Sequence, residues 1–176
     1  YSRLHIFRGL IQLTIQNEKI LSVYNHIIYV WHLRTDIQLG TLKTHSGCIR
    51  NIIELQNGHV ASASDDGSVC IWDISTFTCV RKLIGHQDWI WSLIQLKDSR
   101  IVSAASDNSV CIWSTVTGNC EHILTEHKDW VTAVVECKVT GHIFAGTRDG
   151  KVYRWIVMSN RVPVCIKVIH ECKGWV

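Results

Sequence analysis

Proline occurs once in 176 residues and no tract of low complexity interrupts the chain. With 47% hydrophobic residues, that leaves an ordinary globular composition of about one domain. Charge is sparse too: 19% of residues are charged, the net charge is +3, and the basic residues are scattered. A nucleic-acid footprint would need them gathered into a stripe, so that partner class is not expected. No apolar run approaches the roughly 18 residues of a membrane span. The opening residues lack the pattern of a secretory signal, so none is expected. The chain opens on Tyr1 rather than Met, which leads us to expect that its natural beginning lies upstream.

Cysteine is not scarce, yet its usual patterns are missing. No C-x-x-C pair occurs among the eight, and several of the ten His are repeat landmarks spread over separate repeats, which leaves no metal or cofactor signature. Cys70 and Cys111 are 41 residues apart, as are Cys79 and Cys120. These are equivalent positions in a repeat rather than a disulfide framework. Inside strands such thiols are small apolar fillers. We expect them to be reduced, and therefore expect a cytoplasmic location, with the nucleus as the alternative.

What the sequence does have is a unit that recurs. The stretch GHQDWIWSLIQLKDSRIVSAASDNSVCIW, 85–113, is preceded by THSGCIRNIIELQNGHVASASDDGSVCIW and followed by EHKDWVTAVVECKVTGHIFAGTRDGKVYRW. A worn copy ends at Trp31. The closing tryptophans Trp31, Trp72, Trp113 and Trp155 are separated by 41, 41 and 42 residues. A period of about 40–45 with a Gly-His start and a Trp end indicates one four-stranded sheet per repeat. Val, Ile, Tyr, Trp and Thr fill the apolar runs, and Gly, Asn and Asp punctuate them. Asp65-Asp66-Gly67 reads as a hairpin turn, because Asp-Gly tolerates positive φ. No amphipathic helix is visible. The spacing predicts an all-β chain of four blades, each a four-stranded antiparallel sheet, over about 1–43, 44–84, 85–125 and 126–170. Residues 171–176 resemble 126–131 and are expected to open a further blade, making this part of a longer propeller.

At Gly85-His86, Asp107 and Trp113 the chain resembles the WD-repeat family, and the resemblance covers nearly all of it. Only Trp72-Asp73 is a literal Trp-Asp; the other repeats read Trp31-His32, Trp113-Ser114 and Trp155-Ile156. The resemblance implies a β-propeller acting as a rigid protein platform. It also implies a hydrogen-bonded tetrad in each blade: His45, Ser64, Asp66 and Trp72 in the second, and His127, Thr147, Asp149 and Trp155 in the fourth. The third keeps His86, Asp107 and Trp113, with Ala105 where the hydroxyl is expected, so its network is expected to be incomplete. The first keeps Asn25 and Trp31, with Val23 in the hydroxyl position. Within each set the His is expected to bond the turn Asp and the hydroxyl to bond the indole. Repetition in several blades makes these sets structural rather than catalytic triads.

Function is then expected where the fold leaves positions free. The resemblance places three per blade on the rim, two after the His and one before the turn Asp. They are Cys48, Arg50 and Asp65; Trp89, Trp91 and Ser106; and Trp130, Thr132 and Arg148. Trp and Arg are the residues most enriched in interface hot spots. The leading expectation is a non-catalytic scaffold that binds a partner protein or peptide, in addition to the remaining blades of its own propeller. The alternative is the substrate-recognition propeller of a ubiquitin-ligase receptor or a kinase-linked protein, with the two Arg reading acidic or phosphorylated motifs. An enzyme such as a glycoside hydrolase would need a carboxylate pair at one pocket. The rim offers only Asp65, so no enzyme is expected.

Overall fold

The computed structural model describes residues 10–15, 18–158 and 161–169. Within them the chain forms four antiparallel sheets, each from four consecutive strands. The first is β1 (Leu10–Ile15), β2 (Lys19–Tyr24), β3 (Ile27–His32) and β4 (Gln38–Lys43). The second is β5 (Ile49–Glu54), β6 (Val60–Ser64), β7 (Ser68–Asp73) and β8 (Thr78–Ile84). The third is β9 (Ile90–Gln95), β10 (Ile101–Ala105), β11 (Val110–Trp113) and β12 (Cys120–Leu124). The fourth is β13 (Val131–Glu136), β14 (Ile143–Thr147), β15 (Val152–Ile156) and β16 (Val164–Ile169). No helix occurs among the described residues, so none there could cross a membrane. Residues 171–176, expected to open a further blade, lie outside the described residues.

Turn chemistry repeats with the same phase as the strands. Asn25, Gly67, Asn108 and Gly150 all have positive φ, and all sit in the hairpin between the second and third strands of their sheet. Glu18, Gly58, Ser99 and Gly141 do the same between the first and second strands, and Asp36, Phe77 and Gly118 between the third and fourth. Tight hairpins need this left-handed residue because it matches the strand twist. The repeat is thus carried by backbone conformation as well as by side chains.

Each middle sheet is buried on both faces. In the second sheet, β6 and most of β7 are fully buried. One face, with Val60, Cys70 and Trp72, packs on Leu21, Ile28, Val30 and Leu42 of the first sheet. The other, with Ala61, Ala63, Val69 and Ile71, packs on Ile90, Ile101, Cys111 and Trp113 of the third. The third sheet repeats the scheme, placing Val102, Ala104, Val110 and Ile112 against Ile143, Tyr153 and Trp155 of the fourth. Strand alternation makes this possible, since successive residues face opposite neighbours. Trp72, Trp113 and Trp155 therefore each face the preceding blade. The first strands β5, β9 and β13 lie side by side, which brings their starting residues to one rim.

Turn and neighbour meet closely at Gly67. A Cβ there would lie 2.9 Å from the His86 carbonyl oxygen, on the loop that enters the third sheet. Gly58 has a similar φ of 80° but open space around it. We predict that Gly67→Ala lowers stability by roughly 1–3 kcal/mol, and Gly58→Ala by less. Urea midpoints of the two variants measure this, and equal midpoints would contradict the close approach.

Candidate partner-binding rim

The rim positions arise from the backbone. At the start of β5, β9 and β13 the pairing slips by one residue, from Ile49↔Ser64 to Asn51↔Ala63, from Ile90↔Ala105 to Ser92↔Ala104, and from Val131↔Thr147 to Ala133↔Gly146. The residues left over are Arg50, Trp91 and Thr132. A bulge of this kind re-aims its side chain away from the regular ladder. A second tie recurs beside it. The N–H groups of Asp65, Ser106 and Arg148 donate to the carbonyls of Cys48, Trp89 and Trp130 at 2.8, 2.9 and 2.9 Å. Each blade thus gathers its three rim positions at one edge.

Side chains then join across blades. Arg50 donates from Nε and Nη2 to the two Asp65 carboxylate oxygens, both at 2.7 Å. This bidentate bond raises the guanidinium pKa further, against a smaller opposing effect of burial. The Arg50 guanidinium lies 5.4 Å from the Trp89 ring centre and 5.0 Å from that of Trp91 in the next blade. Trp89 meets Trp91 edge-on at 5.9 Å. Trp91 in turn stacks on Trp130 of the fourth blade at 6.4 Å with 25° between the planes. Arg148 closes the row, 4.5 Å from the Trp130 ring. These spacings are those of favourable aromatic and cation–π pairs. Trp89 is 43% exposed, and Trp91 and Trp130 are half-buried. Ser106 is buried and accepts the Trp91 indole N–H at 2.6 Å, so it positions the ring from beneath. Thr132 donates to the Gly146 carbonyl at 3.3 Å.

Under the rim, the buried networks differ from expectation in which hydroxyl they use. Trp72 Nε1 donates to Ser62 Oγ at 2.8 Å, and Ser62 Oγ meets His45 Nε2 at 2.8 Å. Ser64, expected in that role, instead donates to the Gly47 carbonyl and accepts the Asp66 N–H. The register explains this. Trp72 pairs with Val60, so its indole reaches Ser62 diagonally, while Ser64 lies two residues further on. The third blade, expected to be incomplete, is complete: Trp113 Nε1 donates to Ser103 Oγ at 2.7 Å, and Ser103 meets His86 Nε2 at 2.8 Å. In the first, Trp31 donates to Ser22 at 2.8 Å, so the hydroxyl missing at Val23 is supplied by its neighbour. Ser62 and Ser103 each stand ten residues before their Trp and Ser22 nine before Trp31, so strand register rather than spacing makes the three equivalent.

The far nitrogen of each imidazole faces the turn carboxylate. His45 Nδ1 lies 3.0 Å from Asp66 and His86 Nδ1 2.8 Å from Asp107. Asp66 also accepts from Ser46 N–H and from the Ser68 hydroxyl and N–H; Asp107 accepts the matching bonds from Gln87 and Ser109. Burial by itself would raise both carboxyl pKa values. The Ser68, Ser46 and His45 donors outweigh it and hold Asp66 well below the usual range, and His86 with Ser109 brings Asp107 down to about 2. A neutral imidazole with its proton on Nδ1 satisfies every group: indole to hydroxyl, hydroxyl to Nε2, Nδ1–H to carboxylate.

The fourth blade departs from this scheme. Ala145 stands where the bridging hydroxyl should be, so Trp155 Nε1 donates directly to His127 Nε2 at 3.3 Å. Thr147, expected to bridge to the indole, donates to Asp149 at 2.5 Å. Asp149 also pairs with Lys151 and makes no bond to His127, whose buried Nδ1 has no hydrogen-bond partner. Burial pushes the His127 pKa down to about 4, against weak opposition from the Asn108 and Leu124 carbonyls. Among the described residues no three His, Cys, Asp or Glu side chains group as a metal site, and the seven described cysteines are unpaired.

Three stretches, 37–73, 77–114 and 118–155, match the family described as WD40, WD domain, G-beta repeat. The chain belongs to the WD40 family. Each matched unit begins with the outermost strand of one sheet and continues through the three inner strands of the next, so the WD40 repeat itself straddles two blades. The chain is also similar to the solved WD40 beta propeller domain of Doa1, at 26% identity and a TM-score of 0.72. The match covers 83% of this chain and 49% of that one, so the chain spans about half the length of the propeller it resembles. No curated protein matches it.

Two expectations test the WD40 network. Ser62→Ala strands a buried indole N–H and an imidazole nitrogen and should cost roughly 1–3 kcal/mol, whereas Ser64→Ala should cost less; urea unfolding separates them, and the reverse order would refute the assignment. The second concerns pH. A His unfolded has a pKa near 6.5, while folded His127 lies near 4 and His45 is also lowered, chiefly by burial. The unfolded chain therefore binds more protons between these values, so stability is full above about pH 6.5 and declines as pH falls toward 4. His127 accounts for about 3 kcal/mol of this at most. A urea midpoint unchanged between pH 7 and pH 4.5 would contradict it.

Proposed function

We propose that this chain is a non-catalytic interaction module whose rim docks a partner protein or peptide across three blades, with Trp89, Trp91 and Trp130 as anchors. Domains of the WD40 family generally mediate protein–protein interaction, which supports the class. The observation that carries the site is the continuous row from Asp65 through Arg50, Trp89, Trp91 and Trp130 to Arg148. Rings held by one another and by Ser106 lose little rotamer freedom on binding, so their burial contributes to affinity more fully. Trp and Arg at the centre of such a patch are the usual hot spots. His45 and His86 serve the internal networks, which supports a role without catalysis. We read the thiols at repeat positions as reduced, which favours a cytoplasmic or nuclear setting.

The partner we favour presents an apolar or aromatic segment. An acidic or phosphorylated motif, as a ubiquitin-ligase receptor or kinase-linked propeller would read, must first displace Asp65 from Arg50, a bidentate pair already well formed.

Trp91→Ala should weaken capture of the partner by roughly 2 kcal/mol or more, read as a Kd at least about 30-fold higher, while the melting temperature keeps the protein folded at the assay temperature. Unchanged affinity in a folded variant would remove the rim from the reading.

A further inference from the structure

The fourth blade carries a buried group that the rest of its network ignores. His127 is 4% exposed, and its Nδ1 has no hydrogen-bond partner. In the second and third blades the same nitrogen bonds the turn carboxylate at 3.0 and 2.8 Å. The difference traces to one position. Ser68 and Ser109 hold Asp66 and Asp107 inward through their hydroxyls, at 2.6 and 2.7 Å. Their counterpart is Lys151, whose side chain is 28% exposed and whose ammonium draws Asp149 outward. Thr147 holds the carboxylate from the other side. The carboxylate is in the sequence where His127 needs it, two residues before Lys151, as Asp66 and Asp107 stand two before Ser68 and Ser109.

No other side chain bonds Nδ1. The Tyr153 ring packs on the imidazole at 4.6 Å between centres, where the other two blades have Cys70 and Cys111, and Trp155 packs at 5.6 Å. The carbonyls of Asn108 and Leu124 lie nearby without forming a hydrogen bond to that atom, and no charged side chain contributes to its electrostatics. A buried N–H left without a partner loses its hydration with nothing to replace it. That cost stands against the Lys151–Asp149 attraction, which is made partly in solvent and is correspondingly weak.

We propose that the fourth-blade turn is a two-position latch: Asp149 rests on Lys151, and removing the Lys151 charge, as lysine acylation would, lets Asp149 close onto His127. Closure ties the turn 147–150 to the loop entering β13, as in the two preceding blades. That turn carries Arg148 and that loop leads to Trp130, so the latch sets the spacing at one end of the aromatic row. It stands independently of what the rim binds.

The test follows the His127 imidazole by nitrogen-15 NMR in the intact protein, with Lys151→Ser and Lys151→Gln. Circular dichroism checks the fold, and the solvent-facing glutamine variant serves if the serine variant unfolds. The expected result is a His127 pKa at least about one unit above the parent's, with slower amide exchange over residues 127–130. The rise should vanish when Asp149→Asn is added. A His127 pKa that stays at the parent value in a folded Lys151 variant, or a rise that survives Asp149→Asn, overturns the latch.

Discussion

A buried indole N–H needs an acceptor, and the arrangement of each blade follows from where it finds one. The tryptophan that ends the third strand fills the space against the preceding blade, so its ring cannot turn outward to water. In the second and third blades a serine hydroxyl on the second strand accepts a hydrogen bond from the indole N–H and donates one to an imidazole, which in turn faces the turn carboxylate. No step leaves an unmatched donor, and the only full charge sits at the end where backbone and hydroxyl donors surround it. Fully connected polar chains of this sort are tolerable inside a protein because every member is satisfied. This one ties three separate pieces of chain together: the entering loop, the second strand and the hairpin turn.

Those pieces are the ones that carry the rim. Once loop and turn are held, the bulge at the start of the first strand points its extra residue at the same edge in each blade. What the blades then display differs. The second offers a guanidinium already matched to a carboxylate, the third two indoles, the fourth an indole under a guanidinium. The row they form exists only because adjacent first strands lie close enough for rings on different blades to stack. The scaffold is repeated and the display is not, which is the division of labour expected of a binding platform.

The fourth blade shows what happens when the polar chain loses members. Alanine in place of the bridging serine moves the indole onto the imidazole directly, and lysine in place of the second serine pulls the carboxylate toward solvent. The blade keeps its four strands and its apolar contacts with the third. Packing therefore sustains the sheet, while the polar chain governs the geometry of the turn and loop above it.

The sequence by itself determined the period, the four-strand unit and the turns, because each of these is a pattern of neighbouring residues: alternation within a strand, a left-handed residue at Gly67 or Asn108, a Trp every 41 or 42 residues. Only the tertiary structure decided that Ser62 and Ser103, rather than the residues two further on, meet the indoles. The same holds for the clasp of Asp65 on Arg50, the stacking of Trp91 on Trp130, and the turning of Asp149 away from His127. These depend on diagonal reach across a register and on the approach of one sheet to the next. Spacing along the chain does not encode either, since both are set by twist and packing once all the blades are in place.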